Sequence, residues 1–364
     1  MPKNKWPVLL WIILLTACGP APAVTSAPTT ATMSPTRQVT PLPKMEDYII
    51  YAKYNAANEY EIWAINPNEL IPHLITSDNI PRSWSPSNKQ WLFTRNGSIY
   101  VTNTDGSDIH TIYTNNEYKG IDPFWLTEDV ILFNAYRDIL SPPDMYSVDI
   151  GSGKVTQLFP GSNQFIVITF PADKALLRGD WSSGSLDMVN KDGNSEKFFN
   201  DFEFIPNPYT PHQEFQRIGK LDKYLFRAKR AGDANSKLWL ASKQEPPQLL
   251  FDPENENIYE FAVSPNEKYI ALTYENLENK NIYIYSLENL QVVFKWAYPY
   301  KLSDAYFTWS PDSQSIVVPY SDYDIGGTSH GIDSGIQVMN IKTGETRKIL
   351  KENVAQIIDW HSLK

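Results

Sequence analysis

The sequence has little of several residue types, and each shortage narrows what the protein can be. Its single cysteine, Cys18, rules out a disulfide within the chain. The 5 histidines are scattered, and their spacing indicates no transition-metal cluster. Positively charged residues are fewer than negatively charged ones: the chain has 32 Lys and Arg and 42 Asp and Glu, which gives a net charge of −10. Such a chain gains nothing from the counterion release that drives nucleic-acid affinity, so we expect no DNA or RNA partner.

Helical periodicity is missing as well. No stretch keeps apolar residues at helical spacing over several turns. Instead, apolar runs of strand length alternate with clusters of Asn, Asp, Gly, Ser and Pro, and aromatic residues make up 13% of the chain. Residues 45–364 are therefore predicted to form an all-β body.

Residues 1–17 have the pattern of an export signal. Lys3 and Lys5 precede an apolar run, 6–15, that is too short to span a bilayer permanently. The run ends in Leu15-Thr16-Ala17-Cys18, which resembles the bacterial lipobox at every position. The resemblance implies cleavage before Cys18 and acylation of that cysteine, which would anchor the protein to a lipid bilayer of the cell envelope. The alternative is an ordinary signal peptide with an incidental cysteine.

Residues 18–44 are nearly all Ala, Pro, Thr, Ser and Val. Such a segment cannot bury enough apolar surface to fold, and its prolines favour an extended chain. We predict a disordered tether between the lipid anchor and the body.

One short phrase recurs along the body. Ser85-Pro86, Ser264-Pro265 and Ser310-Pro311 each follow an apolar residue and precede a second apolar run, and a worn copy lies at 125–129. Proline pre-sets the backbone of a turn, and the Asp, Asn or Ser beside it stabilises that turn. The repeats divide the body into groups of four short strands, which predicts a β-propeller with one group in each blade.

The two ends of the body complement each other. The first group begins at Tyr48 without the strand that should precede its turn, and 355–362 supplies such a strand with no successor. Because closure of this kind removes open sheet edges, we predict seven blades, the first completed by the C-terminal strand. Six blades are the alternative if the weak fourth group, 165–199, is absorbed elsewhere. The Pro-rich stretch 202–212 is interpreted as a non-repeating insertion.

The Ser-Pro phrases, together with later strands that begin Ile99-Tyr100, Leu238-Trp239 and Ile282-Tyr283, resemble the WD-like repeats of TolB-type β-propellers. The resemblance spans residues 46–364 and is clean in the second, sixth and seventh blades. It implies the architecture and leaves the activity open, since many functions share this fold.

Residues 327–331 match the Gly-x-Ser-x-Gly pattern of a nucleophile elbow. That motif requires a strand, a turn and a helix in a large α/β domain, whereas the residues after Gly331 have the pattern of β-strands. We therefore predict no nucleophile at this position.

The same region partly resembles a calcium loop. Asp322, Asp324 and Asp333 occupy the first, third and last positions of such a loop, around a glycine turn. Gly326 stands where a further ligand is expected, and Asp333 replaces the usual Glu. The favoured interpretation is a solvated, glycine-rich hairpin loop, and calcium held by the three aspartates is the alternative. No other cofactor is expected.

Long loops are predicted on one face of the propeller. Strand direction alternates within each group, so loops between second and third strands share a face with the connections between groups. Such loops form the usual binding side of repeat proteins, and Tyr and Arg are favoured interface anchors. The candidate binding residues are Tyr54, Tyr136, Arg137, Asp138, Tyr298, Tyr300, Tyr320 and Tyr323. With 21 tyrosines in the chain, ordinary loop composition is the alternative explanation.

The sequence therefore favours a membrane-anchored, extracytoplasmic propeller that binds a protein, peptide or glycan through its long-loop face without catalysis. One alternative is a propeller-type hydrolase or lyase with a site at the mouth of the channel. Another is an accessory subunit of an envelope complex.

Overall fold

The structure is a computed structural model that describes most of residues 47–362. The ranges outside the description are 58–59, 78–79, 88, 105, 116, 139–142, 160–163, 171–174, 181–185, 191–194, 200–201, 204–214, 220–222, 231, 243–244, 254–256, 276–280, 298–306, 322–333, 353 and 355. The predicted signal peptide 1–17, Cys18 and the tether 18–44 also lie outside the described residues.

The elements of the described residues are β-strands in antiparallel sheets. The first sheet contains β1 (Asp47–Tyr54), β2 (Tyr60–Ile65), β3 (Pro72–Ser77) and the last strand of the chain, β29 (Gln356–Ser362). The second contains β4 (Ile80–Trp84), β5 (Gln90–Arg95), β6 (Ser98–Asn103) and β7 (His110–Thr114). The third contains β8 (Gly120–Thr127), β9 (Val130–Tyr136), β10 (Asp144–Asp149) and β11 (Val155–Phe159). The fourth contains β12 (Gln164–Phe170), β13 (Ala175–Asp180), β14 (Leu186–Asn190) and β15 (Ser195–Phe199).

Three further sheets complete the set. The fifth contains β16 (Phe202–Glu203), β17 (Phe215–Ile218), β18 (Lys223–Arg230), β19 (Lys237–Ala241) and β20 (Gln248–Phe251). The sixth contains β21 (Asn257–Val263), β22 (Tyr269–Glu275), β23 (Asn281–Ser286) and β24 (Val292–Ala297). The seventh contains β25 (Thr308–Trp309), β26 (Ser315–Ser321), β27 (Ser334–Asn340) and β28 (Thr346–Lys351).

The sheets form a closed ring. Each sheet contacts the next along the chain, and β25 and β26 of the seventh contact β29 of the first. This arrangement is a β-propeller in which each sheet is one blade, so the all-β propeller prediction is confirmed. The weak fourth group of the sequence forms a sheet of its own, β12 to β15.

The ring is closed by the two ends of the body. β29 runs antiparallel to β1, with Asp47 opposite Ser362 and Ile49 opposite Trp360. The C-terminal strand thus supplies the first strand of the first blade, as the orphan strand at 355–362 predicted. Closure also buries Ile49, Tyr51 and Ile357 in an apolar cluster shared with the seventh blade.

Two faces of the ring differ in their connections. The long-loop face carries the loops between the second and third strands of each blade and the connections between blades. Its described residues include 54–57, 117–119, 136–138, 232–236 and 352. The tight-turn face carries the Ser-Pro turns and the hairpins between the third and fourth strands.

The Ser-Pro turns are fixed by the serine hydroxyl. In the seventh blade, Ser310 Oγ donates to Asp312 Oδ1 at 2.6 Å and accepts from Ser315 N at 2.9 Å. In the sixth, Ser264 Oγ donates to Asn266 Oδ1 at 2.8 Å and accepts from Tyr269 N at 3.0 Å. The hydroxyl therefore satisfies backbone donors that the turn leaves without ladder partners. This requirement explains why serine recurs before the proline.

The core lies between the blades. Between blades six and seven, Phe307, Trp309 and Val318 pack against Ala271, Ile282 and Ile284, all of them buried. Full burial of each large side chain contributes about 1.5–3 kcal/mol, so the interfaces between blades hold the ring together.

The stretch 202–212 differs in part from the prediction. Its first two residues form β16, which pairs with Arg230 and Lys229 of β18, and Phe202 is buried against Phe226 and Trp239. This short pairing, which buries Phe202, extends the ladder on β18 beyond the start of β17. The prediction that all of 202–212 lies outside the repeat is therefore wrong at its start.

Candidate binding face

The structure describes five of the eight candidate binding residues, and four lie on the long-loop face. Tyr54 ends β1 and is 47% exposed, and Tyr136 ends β9 and is half-buried. Arg137 and Asp138 follow Tyr136 and are exposed. The candidates Tyr298, Tyr300 and Tyr323, and the calcium candidates Asp322, Asp324 and Asp333, lie outside the described residues.

Tyr320 is in a different place from the one predicted. It belongs to β26 instead of a loop, and it is 2% exposed. Its ring packs in the core between blades six and seven, and its hydroxyl donates to Leu350 O at 3.3 Å. The prediction that Tyr320 faces a ligand is wrong, because the strand continues past Pro319 and keeps alternate side chains turned inward.

A group of side chains between blades two and three surrounds Arg137. We call it the Tyr118 cluster, and it consists of Tyr118, Arg137, Asp144 and Tyr146. Tyr118 donates to Asp144 Oδ2 at 3.2 Å, and its oxygen lies 2.6 Å from that of Tyr146. Because the single proton of Tyr118 points to Asp144, Tyr146 donates to Tyr118. Arg137 Nη2 lies 3.4 Å from Asp144 Oδ2, and the guanidinium stands 5.9 Å from the centre of the Tyr118 ring.

The ionisation of the cluster follows from its burial. Burial raises the pKa of the Tyr118 hydroxyl well above its ordinary range, and Tyr146 and Asp144 add to the rise. The Tyr118 hydroxyl raises the pKa of Arg137, and the Asp144 carboxylate adds to it. At neutral pH the cluster therefore holds a neutral tyrosine hydroxyl that donates and a charged guanidinium. The Arg137 side chain is 68% exposed and that of Asp144 14%, so the guanidinium is the part of the cluster that is most open to solvent.

The sequence did not predict Tyr118, Asp144 or Tyr146 as members of the site. Tyr118 lies in a connection between blades, and Asp144 and Tyr146 begin β10 after the loop that carries Arg137. The predicted topology could have indicated these residues, because connections between blades were assigned to the same face as the long loops. The alternation of Asp144 and Tyr146 along one strand face would then have placed both beside Arg137.

A second group lies on blade one. Tyr54 and Tyr60 face each other across the hairpin, with ring centres 4.3 Å apart and hydroxyl oxygens 2.6 Å apart. Burial raises the pKa of Tyr60 to about 12, with the Tyr54 hydroxyl adding to the effect. Tyr54 therefore presents an exposed ring on this face, and its contacts with Tyr60 hold that ring in place.

Beneath Tyr54, a charged group joins the first and seventh blades. Glu352 accepts from the Tyr51 hydroxyl at 2.7 Å and from Lys53 Nζ at 2.6 Å. Lys53 also stands 4.0 Å from the centre of the Trp63 ring, whose Nε1 donates to Glu61. Burial, followed by Glu352, raises the pKa of Tyr51 well above its ordinary range. These contacts anchor the ring closure at the long-loop face.

Blade five carries a third charged group on this face. Lys237 Nζ lies 3.0 Å from Asp233 and 2.9 Å from Asp252. The hydrogen bond that Lys237 donates to Asp252, then the one that it donates to Asp233, raises the pKa of Lys237, whereas the backbone N–H of Arg230 lowers the pKa of Asp233. The charges of Lys237 are thus satisfied within the blade, unlike those of Arg137.

Two further properties of the described ranges concern metal binding and membrane crossing. Within them, no three His, Cys, Asp or Glu side chains are grouped so that they could hold a metal ion. In that same part of the chain, no helix has the length and apolar character needed to cross a membrane.

Comparison with solved structures identifies the fold. The chain is similar to TolB from Acinetobacter baumannii, with 15% identity and a TM-score of 0.52 over 86% of this chain and 66% of TolB. It is also similar to an oligogalacturonate lyase, with 11% identity and a TM-score of 0.54 over 87% of this chain and 86% of the lyase. The chain therefore spans about two thirds of the length of TolB. No protein-family model and no curated protein matches the sequence.

A third similar structure differs in how its ring closes. The β-propeller domain of the Trilobed protease from Pyrococcus furiosus has 13% identity and a TM-score of 0.57 over 88% of this chain and 98% of that domain. That domain has an open velcro topology, whereas β29 here pairs with β1. At these identities the similarities establish the β-propeller fold alone, and at that level they confirm the predicted resemblance to a TolB-type propeller.

Proposed function

We propose that this chain is an extracytoplasmic β-propeller that binds a protein, peptide or glycan through its long-loop face and performs no chemistry on it. Acylated Cys18 anchors it to a bilayer of the cell envelope in this proposal, and the tether 18–44 separates the anchor from the ring. The observation that carries the proposal is the Tyr118 cluster, in which a buried tyrosine network holds an exposed guanidinium.

Aromatic and arginine side chains on a rigid support are the usual anchors of an interface. Tyr54 and Arg137 fit this description, since each is exposed and each is backed by a paired tyrosine, Tyr60 or Tyr118. A rigid support lowers the entropy lost on binding, because the anchors are already held in one arrangement. The proposal thus requires a presented surface and no moving part.

The experiment compares partner capture by full-length protein purified in detergent with capture by a Tyr54→Ala/Tyr136→Ala variant. We expect the wild type to retain specific envelope components and the variant to lose them by tenfold or more, with an unchanged melting temperature. The matched control, Val155→Ala/Val292→Ala, removes two exposed apolar side chains elsewhere on the propeller. Equal capture by the wild type and the tyrosine variant contradicts binding through the long-loop face. Loss of capture in the control variant alone would instead place the binding site near Val155 and Val292.

A propeller-type hydrolase or lyase is the second candidate. It is favoured by the similarity to an oligogalacturonate lyase over 86% of that enzyme's chain. Turnover of a peptide or polysaccharide by the purified protein, lost on heating, would replace the binding proposal with this one.

Calcium at Asp322, Asp324 and Asp333 is a proposal that extends either function. A rise in melting temperature with calcium, absent in an Asp322→Asn/Asp324→Asn variant, would support it, and an unchanged melting temperature would reject it.

A further inference from the structure

We propose that Lys119 and Arg137 form a receptor for a carboxylate group of the ligand. The proposal rests on the binding function of the long-loop face and specifies which chemical group that face recognises.

The register of blade three brings the two cations together. Gly120 of β8 is the partner of Tyr136 of β9, and Lys119 N donates to Tyr136 O at 2.8 Å. Lys119 and Arg137 stand on either side of this hydrogen bond, Lys119 as the residue that donates it and Arg137 directly after the residue that accepts it. Both are exposed on the long-loop face.

Only one of the two charges has an ion-pair partner among the described residues. Among the described residues Lys119 makes no ion pair, and the only ion pair of Arg137 is the 3.4 Å contact with Asp144. Like charges on adjacent strand positions are destabilising, by a fraction of the roughly 0.2–1 kcal/mol typical of cross-strand pairs. A bound anion would convert this repulsion into attraction, which is the behaviour of a recognition site.

The geometry around Arg137 favours a planar anion. The Tyr118 ring supports one side of the guanidinium, and Asp144 lies near a single nitrogen. Since Asp144 also accepts from Tyr118, it positions the guanidinium, and the exposed side chain of Arg137 has further N–H donors for a ligand. A carboxylate matches this fork through two parallel hydrogen bonds, whereas Lys119 adds a point charge.

The surrounding charges limit the kind of anion. Glu117 and Asp138 are exposed beside the two cations, and the chain carries a net charge of −10. A long polyanion such as a nucleic acid would be repelled by this environment. A ligand with spaced carboxylates, such as an acidic peptide or a uronic-acid oligosaccharide, can place one group between Lys119 and Arg137.

The test is calorimetric titration of the full-length protein with two pairs of probes. One pair is a tetraglutamate peptide and its tetraglutamine counterpart, and the other is an oligogalacturonide and its methyl ester. We expect the charged member of one pair to bind at least tenfold more tightly than its neutral member, with affinity falling as salt is added. The probe pair whose charged member binds more tightly shows whether the carboxylate comes from a peptide or from an oligosaccharide.

Variants connect the binding to the two cations. Lys119→Gln/Arg137→Gln should lose the charged-probe preference, and Arg137→Lys should keep only part of it because the fork is lost. The control Lys268→Gln/Lys342→Gln removes two exposed lysines from the tight-turn face and should bind like the wild type.

The proposal is overturned if charged and neutral probes bind alike, if no probe binds, or if the Lys119→Gln/Arg137→Gln variant keeps the preference. Its failure is separate from that of the proposed function, which depends on capture by Tyr54 and Tyr136. If the tyrosine variant loses partner capture but the wild type binds charged and neutral probes alike, the long-loop face is still the binding face, and the carboxylate receptor is rejected.

Discussion

A buried carboxylate on the first strand of blade six has an unusual environment. Glu260 is 3% exposed, and its Oε1 accepts from Phe307 N at 3.1 Å. Its Oε2 has no hydrogen-bond partner among the described residues, and neither has Oγ1 of Thr273, which lies directly opposite on β22. Burial raises the pKa of Glu260 well above its ordinary value, while the Phe307 N–H and the charge of Arg227 lower it in part. The neutral acid is therefore the form that the fold prefers.

This preference makes the stability of the ring depend on pH. A carboxyl group whose pKa is raised by folding contributes stability that is fully present below its unfolded pKa, and that contribution is lost as pH rises through the folded pKa. We expect Glu260→Gln to remove the loss, because an amide keeps the acceptor for Phe307 N without a charge. Urea denaturation between pH 4 and 9 should show the wild type falling relative to this variant as pH rises.

A truncated variant provides the control for Glu260. Glu260→Ala leaves Phe307 N buried without this acceptor and should be about 1–3 kcal/mol less stable than Glu260→Gln at every pH, because neither variant carries the titrating carboxyl. Parallel pH profiles of wild type and Glu260→Gln would contradict the raised pKa.

At the level of single residues, the sequence predicted some positions well. The serines of the Ser-Pro turns were recognised because their role is local, within five residues of the chain. Tyr118 was missed because its partners come from a neighbouring hairpin, Asp144 and Tyr146. Tyr320 was misplaced because the predicted strand 316–318 ended before Pro319 and the predicted loop began at Tyr320. β26 tolerates that proline because the short strand β25 pairs only with Ile316 and Val317.

Among the elements, the hairpin between β5 and β6 positions the Tyr118 cluster. Its two-residue turn is Asn96-Gly97, and Gly97 has a φ of +71°. A Cβ at Gly97 would lie 2.6 Å from Asn115 O and 3.1 Å from Tyr118 O. The backbone that carries Tyr118 therefore rests directly against this turn.

Gly97→Ala should consequently disturb the Tyr118 cluster, although Gly97 is not a member of that cluster. The left-handed conformation alone costs about 1–2 kcal/mol with a side chain, and the contact with Asn115 O forces the connection outward. We expect lower stability in urea and weaker binding of the charged probe. Gly153→Ala is a matched control, since its φ is +68° and nothing lies within 4 Å of the added carbon. If both variants bind the probe equally well, the turn has no positioning role.

For the architecture, the sequence was a good guide because each blade repeats the same local pattern. The orphan strand at the C-terminus predicted the pairing of β29 with β1, which is a contact between the two ends of the body. The arrangement of side chains on the long-loop face was harder to predict, because loops of different blades meet there without a repeat.

For the whole molecule, the anchor and the ring are predicted to be independent. Cys18 precedes the first strand of the ring, which starts at Asp47. Cys18→Ser should therefore move the protein from the membrane fraction to the soluble fraction, with the melting temperature of the ring unchanged. Thr30→Ser in the tether is the control and should stay in the membrane fraction. Membrane retention of the Cys18 variant would reject lipid anchoring through this cysteine.

The pairing of Asp47 with Ser362 has a consequence for how the protein can be held. β1 starts and β29 ends on the tight-turn face, so the chain enters and leaves the ring on that side. A fusion partner attached at either end of the ring would therefore start from the tight-turn face. Both ends of the ring therefore lie on the face opposite the long-loop face, and attachment at either end starts from the same side.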